Sequence, residues 1–452
     1  MQGTSPVELK VENARLLSSK GLTSSGMGVA VDESTIVSVG SASSLPDAHR
    51  TIDAGGNILA PGLVDEHVHD RSIGQRHKEG WETLTRAAAA GGVTTVLGHG
   101  NTDPFVDRPA ILKRKLTRAN RSAIVDFGCF AWLTPDSYDQ VESLVEAGAV
   151  GLQASLEENA LDTGQLQTAM IQVERMNERL GIHVEDGPII DSQHRRIRPS
   201  EMGDPINHCR SRPTIAEVVG AATVVELAAN TRCPIHVFQV SSGQTLEPLA
   251  RGKQMGLDLT IETTPHYLWF DNSEMAKQGS LAIVSPPLRT AEERSLLWTE
   301  GIIPGVIDCI GTDHAPHTDA EKYLNRPFES VGDVAPGFVG VETAASVLLT
   351  FVDHGRLTLP QWIRLHSTNP AKTWGLYPQK GSLQIGTDAD LILVDDTIER
   401  TVDRTDISSK STATVWDGET LTGSVQTTIV RGNVVYDDGT ILTDNGYGKA
   451  VR

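Results

Sequence analysis

Two histidines separated by one valine, His67 and His69 in "VDEHVHDRSIG", follow directly on a Pro-Gly-Leu turn. Alternate side chains of an extended strand share a face, so Leu63, Asp65, His67 and His69 are expected on one side, and Val64, Glu66 and Val68 on the other. Two imidazoles so placed can grip one metal ion. A His-x-His pair alone is equally well explained by two hydrogen-bonded side chains at a strand end, so the chemistry depends on further ligands. Two candidates stand at the ends of other apolar runs: His183 in "GIHVEDG" and Asp313 in "GTDHAPHT". Singly, His183 reads as a buried, hydrogen-bonded histidine and Asp313 as a helix cap. Three neutral imidazoles and one carboxylate together suit a divalent ion, Zn²⁺ first with Fe²⁺ or Mn²⁺ as alternatives, and leave a position for water.

These residues can meet only if a fold gathers them. Between residues 56 and 370, apolar runs alternate with amphipathic stretches of helical length, which is the pattern of β-α units around a parallel sheet. Eight runs fit: "ILAPGLVDEHVH", "VTTVLGHGN", "SAIVDFGCFAWL", "AVGLQAS", "GIHVED", "CPIHVFQVSS", "LDLTIETTPH" and "GVIDCIGTDHAPH". Helices are expected in "KEGWETLTRAAAAGG", "TGQLQTAMIQVERMNERLG" and "TIAEVVGAATVVELAAN". The fold class is α/β: a (β/α)8 TIM-type barrel, whose chemistry belongs at the C-terminal ends of the strands, where the candidates stand. Residues 1–55 and 371–452 have the texture of short strands broken by turns, and together they are expected to build one small composite β-sandwich domain.

The 452 residues carry 39 Lys and Arg against 58 Asp and Glu, a net charge of −19, which argues against nucleic acid or an anionic membrane as the main partner. Cys129, Cys209, Cys233 and Cys309 are scattered without a Cys-x-x-Cys pair, so neither a disulfide framework nor a cysteine-rich zinc site is indicated. The N-terminal "MQGTSPVELK" lacks the features of a signal peptide, and no apolar run reaches membrane-spanning length. A cytoplasmic protein is expected.

The segments "APGLVDEHVHDRSIGQRHKEGWETLTRAAAAGGVTTV", "HVED", "SPPLR", "GTDHAPH", "APGFVGVET" and "STNPAKTWGLYPQKGSLQIGTDADLILVD" resemble the cyclic amidohydrolases: dihydroorotases, dihydropyrimidinases and allantoinases. The resemblance covers nearly the whole chain. It implies a metal-dependent barrel that hydrolyses a ring amide or imide C–N bond, a small cyclic amide as substrate, and a homo-oligomer. His67, His69, His183 and Asp313 become the implied metal ligands. Arg71, Asn101 and His317 match positions that hold a substrate carboxylate in dihydroorotases, and a guanidinium fork suits that task. The alternative for Arg71 is a structural salt bridge. Ser285 in "VSPPLR" resembles dihydropyrimidinases instead, which leaves ring specificity open.

Two positions depart from the family. Its members commonly bind two metals bridged by a carbamylated lysine on strand four and completed by a histidine on strand six; here those positions are Gln153 and Gln239, and His236 corresponds to a separate position. Two neutral glutamines cannot offset the repulsion of two dications, so one ion per chain is expected. In such a centre Asp313 would serve as both general base and general acid. Asp65 is a candidate partner of the histidines or a strand end. Glu185 and Asp186 are a proton shuttle or a cap and salt bridge, and His99 and His266 line the pocket. The readings that remain are an active dihydroorotase-like hydrolase, which is favoured, an inactive scaffold, a dihydropyrimidinase- or allantoinase-type enzyme, and a mononuclear deaminase.

Overall fold

The computed structural model describes residues 5–452; residues 1–4, which the sequence assigns to the β domain, lie outside the described residues. Two all-parallel sheets form the barrel. One contains Leu63–Val68, Val93–Gly98 and Asp126–Cys129, and the other Ala131–Trp132, Leu152–Ser155, Leu180–His183, Ile235–Val237, Leu259–Thr263 and Cys309–Ile310. Asp126–Cys129 and Ala131–Trp132 are two parts of one strand interrupted at Phe130, so the runs form eight barrel strands among the described residues. The ring closes through a parallel bridge between Val68 and His314, with His69 N–H donating to the His314 carbonyl at 2.9 Å. Leu63–Val68, Val93–Gly98 and Leu152–Ser155 are buried along their whole length, as strands covered on both faces require.

Helices cover the outside. Trp81–Ala90, Thr163–Arg175 and Thr214–Thr231 occupy three of the stretches expected to be helical. The second starts at Asp162, whose side chain accepts from Gln165 N–H in a capping box, satisfying a backbone donor that the first helical turn would otherwise leave free. No helix among the described residues is long and apolar enough to cross a membrane.

Strands from both ends of the chain build a further ten-stranded sheet. Ile58–Pro61 sits at its centre, parallel to Val7–Ser18 on one side and antiparallel to Leu391–Thr401 on the other. Its core contains Leu9, Val11, Val29, Val31, Leu59, Leu391, Leu393 and Ile429. The run 58–69, read from sequence as one strand, is therefore two strands in different sheets. They part at Gly62, where a Cβ would come 2.1 Å from the Thr94 hydroxyl, so only glycine fits the turn.

Strict alternation also fails in the first barrel strand. Its pairing with Val93–Gly98 shifts register between Leu63 and Val64 and again between Asp65 and Val68. Val64 packs with Leu97, Phe130, Val150 and Phe238. Glu66 and His67, expected on opposite faces, both approach Glu262: the His236 imidazole lies 3.8 Å from each of Glu66 and Glu262, and His67 Nδ1 lies 2.7 Å from Glu262. A register shift adds a local bend, and neighbouring side chains can then share a side.

Candidate active site

At the C-terminal end of the first strand, His67 and His69 turn their Nε2 atoms toward the carboxylate of Asp313, at 3.4 and 2.9 Å. The other nitrogen of each ring is engaged. His67 Nδ1 meets Glu262 Oε1 at 2.7 Å, and His69 Nδ1 meets Asn101 Oδ1 at 2.8 Å. Glu262 Oε1 also receives the Gln239 N–H at 3.0 Å and so acts as an acceptor. With each Nδ1–H given to an oxygen, the Nε2 lone pairs are free to bind an ion, which is the usual arrangement of ligating imidazoles. Burial holds both histidines below their ordinary pKa, and the charge of Arg71 depresses His69 further; neutral rings are what a metal needs.

Asp313 is delivered by the strand-eight end. Thr312 donates its N–H and its hydroxyl to Asp65, at 3.1 and 2.5 Å, tying that end to the first strand. Asp65 thus partners Thr312 and the His67 backbone N–H instead of an imidazole ring. Burial pushes the Asp313 carboxyl up to about 6. Three residues at strand ends, Arg71, Gln239 and Asp313, have φ of 53°, 45° and 47°, a left-handed conformation that costs non-glycine residues energy and concentrates at functional sites.

His183 lies beside this group with its Nε2 buried and unpartnered. Its ring centroid is 5.5 Å from that of His67, and the ring stacks on Phe238 and Trp132. A set of ring nitrogens all within 4.8 Å of one another is formed instead by His67, His69 and His99. His99, expected only to line the pocket, stacks on His67 with centroids 3.9 Å apart. The residues present therefore fit a divalent ion: converging Nε2 atoms, a carboxylate, and orphaned buried nitrogens on His67 and His183.

The cavity above this group is lined by Arg71, Asn101, His183, Gln239, Ser285 and Asp313 among others. Arg212 and Arg289, close by, are neutralised: the first by Glu157 and Glu185, the second by Glu217 and Glu185. Arg71 differs. It is 7% exposed, and among the described residues no carboxylate lies within ion-pair distance; its Nη2 contacts His317 Nε2 at 3.2 Å. Its loop is pinned from below by the buried Lys115–Asp70 pair at 2.6 Å, and Lys115 also donates to the His99 carbonyl. Asn101, with Oδ1 on His69, turns its amide nitrogen toward Glu158 at 3.4 Å. Ser285 accepts the Gln239 amide with its carbonyl at 2.9 Å. Glu185 forms ion pairs and Asp186 caps the helix Gly187–His194, which leaves neither as an unengaged shuttle. His266 is buried away from the cavity lining, packed against Tyr267 and Phe338.

Sequence reading missed Glu262, although it ends an identified strand, and missed the cluster of Glu66, His236 and Glu262 beneath the mouth. In that cluster burial raises both carboxyls well above their usual range, with the charge of Glu262 adding to the shift of Glu66 and those of Asp65 and Asp313 to the shift of Glu262. Trp374 Nε1–H donates to Glu66 at 2.7 Å, a contact that no local pattern announces.

A closed parallel barrel that points two histidines of strand one and an aspartate of strand eight at one place defines a metal-dependent hydrolase of the TIM-barrel class. The chain belongs to the amidohydrolase family: residues 56–244 match the dihydro-orotase-like family and residues 272–435 the amidohydrolase family. It is 30% identical to an L-hydantoinase of Paenarthrobacter aurescens over 98% of this chain and 97% of that one. It is also 32% identical to a dihydroorotase of Methanosphaera stadtmanae (86% and 88%) and 32% identical to an allantoinase of Deinococcus radiodurans (90% and 90%). The solved L-hydantoinase (dihydropyrimidinase) from Arthrobacter aurescens superposes with a TM-score of 0.94 at 30% identity, over 99% of this chain and all of that one. The protein is a cyclic amidohydrolase acting on non-peptide C–N bonds.

Proposed function

We propose that the protein opens the ring of a cyclic amide bearing a carboxylate, in the manner of a dihydroorotase, with a single divalent ion held by His67, His69, His183 and Asp313. Zinc is the first choice for such a donor set, with iron or manganese as alternatives. The observation that carries the reading is the convergence of two Nε2 atoms on Asp313 while both Nδ1 atoms are occupied. Bound there, the ion would supply a water acidic enough to ionise near neutral pH and polarise the ring carbonyl.

The remaining work falls to side chains. Asp313 takes the proton of the attacking water and returns it to the departing ring nitrogen, one carboxylate serving as base and then acid. Arg71, beside His317, receives the substrate carboxylate, and the Asn101 amide, whose nitrogen points to Glu158, lines the same cavity. The lack of a carboxylate partner for Arg71 supports this role over a structural salt bridge. Ser285 lines the same cavity.

An uncharged ring is the second reading, favoured by Ser285 and by the hydantoinase and allantoinase relatives. Assay of the zinc-loaded protein against dihydroorotate, carbamoyl aspartate, dihydrouracil, hydantoin and allantoin separates the two. Turnover confined to the carboxylate-bearing compounds supports the first reading, and turnover confined to the uncharged rings supports the second. No turnover of any, with no bound metal, would favour a scaffold.

A further inference from the structure

Gln153 occupies the position where family resemblance places a bridging lysine, and both ends of its amide are used. Its oxygen accepts the Gly100 backbone N–H at 2.9 Å. A backbone N–H can only donate, so the amide oxygen and nitrogen are distinguished by their partners and the side chain cannot be turned over. Its nitrogen then donates to His99 Nδ1 at 2.8 Å. A ring nitrogen that accepts carries no proton, so neutral His99 holds its proton on Nε2.

His99 is therefore the inverse of its neighbours. His67 and His69 give away Nδ1–H and leave Nε2 bare, whereas His99 accepts at Nδ1 and presents Nε2–H. An N–H cannot bind an ion, so membership of the tight trio with His67 and His69 does not make His99 a ligand. Its Nε2 is nonetheless buried and without a partner, in a ring lying 3.9 Å from that of His67 and 5.0 Å from that of His69. A buried donor left unmade costs free energy, and the oxygen that would satisfy it belongs to whatever binds where those rings converge.

We propose that His99 is a catalytic hydrogen-bond donor, its Nε2–H stabilising the negative charge that develops on the ring carbonyl oxygen as water attacks, and that Gln153 is the positioning residue that fixes the tautomer. The proposal rests on the hydrolase reading above. A neutral imidazole acting as electrophile is an established strategy, and it needs no extra charge in a pocket that lacks the anionic bridge for a second cation. The His99–Gln153 unit thus takes over part of what a second ion would do.

Nitrogen-15 spectra of the histidine rings in the zinc-loaded full chain provide the test, with His99 assigned by its disappearance in His99→Ala. The expected pattern is Nε2–H for His99 and Nδ1–H for His67 and His69. Gln153→Glu, whose carboxylate can only accept, is expected to turn His99 to the Nδ1–H form; should that variant not fold, Gln153→Ala is expected to give a mixture of forms. His99→Ala is expected to keep its zinc while kcat falls about 100-fold, the scale of losing one donor to a developing oxyanion. An Nδ1–H tautomer in the unaltered protein, or loss of zinc from His99→Ala, overturns the proposal. If the unaltered protein hydrolyses no cyclic amide, the hydrolase reading and the donor role fall together. If it does and His99→Ala is equally active, the donor role alone falls.

Discussion

On the side of the mouth built by strands one and eight, His67 and His69 hand their Nδ1 protons to Glu262 and Asn101 and aim Nε2 at Asp313. On the side built by strands four and six, Gln153 and Gln239 direct their amide groups inward, to His99 and Gly100 and to the Ser285 carbonyl. The first half presents bare lone pairs and a carboxylate. The second presents neutral amides: Gln153 is engaged at both ends, and Gln239 through its nitrogen, with its oxygen buried and unpartnered. Whether a barrel mouth holds one ion or two thus depends on which side chains keep an anionic or unprotonated atom free, since paired cations must be offset by charge. Gln239 retains a left-handed backbone, as do Arg71 and Asp313, so the strand-six end keeps a strained form while its side chain serves the wall.

The strongest way to break this contrast is to empty the first half. His67→Ala or His69→Ala removes one of few direct bonds to the ion, and each is expected to abolish zinc binding, and activity with it, as read by metal analysis after dialysis. A variant that kept its zinc would place the ion elsewhere.

Asp313→Ala comes next. Because the carboxylate is asked to move the proton as well as hold the ion, kcat is expected to fall about 1,000-fold or more, while zinc occupancy at saturating metal falls far less. Retained turnover would assign proton transfer to another group.

Arg71→Ala sharpens the contrast at the substrate. Loss of a buried charge-assisted partner costs about 2 to 5 kcal/mol, so kcat/KM for dihydroorotate should drop roughly 30-fold or more. Uncharged rings make no such demand, and hydantoin turnover should change little. An equal fall for both would make Arg71 structural.

The smallest effect lies away from both halves. Burial pushes the Glu342 carboxyl up to about 7 from an ordinary 4.5, although it accepts the Ser408 N–H at 2.8 Å. The folded chain then binds a proton that the unfolded chain releases, so this group's contribution to stability declines as pH rises from about 4.5 to 7. Glu342→Gln keeps an acceptor for Ser408 and is expected to raise stability at pH 7 and leave it unchanged at pH 4, in paired urea titrations. A gain at both values would point to packing instead of charge.

Much of the mouth was legible because chemistry at strand ends leaves a local trace. His67, His69 and Asp313 each end an apolar run, and eight such runs between amphipathic helices specify the ring that gathers them. Partnerships across the barrel leave no such trace. Glu262 reaches His67 across 195 residues of chain and Trp374 reaches Glu66 across 308, distances over which periodicity carries no information. The register shift in Leu63–Val68 is equally silent, because an alternating sequence reads the same with or without a bend. Gln153 was visible as a departure from the family. Its effect on His99 appears only once the Gly100 N–H fixes which end of the amide faces the ring.

One divalent ion per chain is the proposed complement of this mouth. Metal analysis of the full-length protein, loaded with excess zinc and then freed of loosely bound metal, tests it most directly. One tightly held zinc per chain, lost in His67→Ala, is expected. Two tightly held ions per chain at the mouth, both lost in that variant, would contradict it.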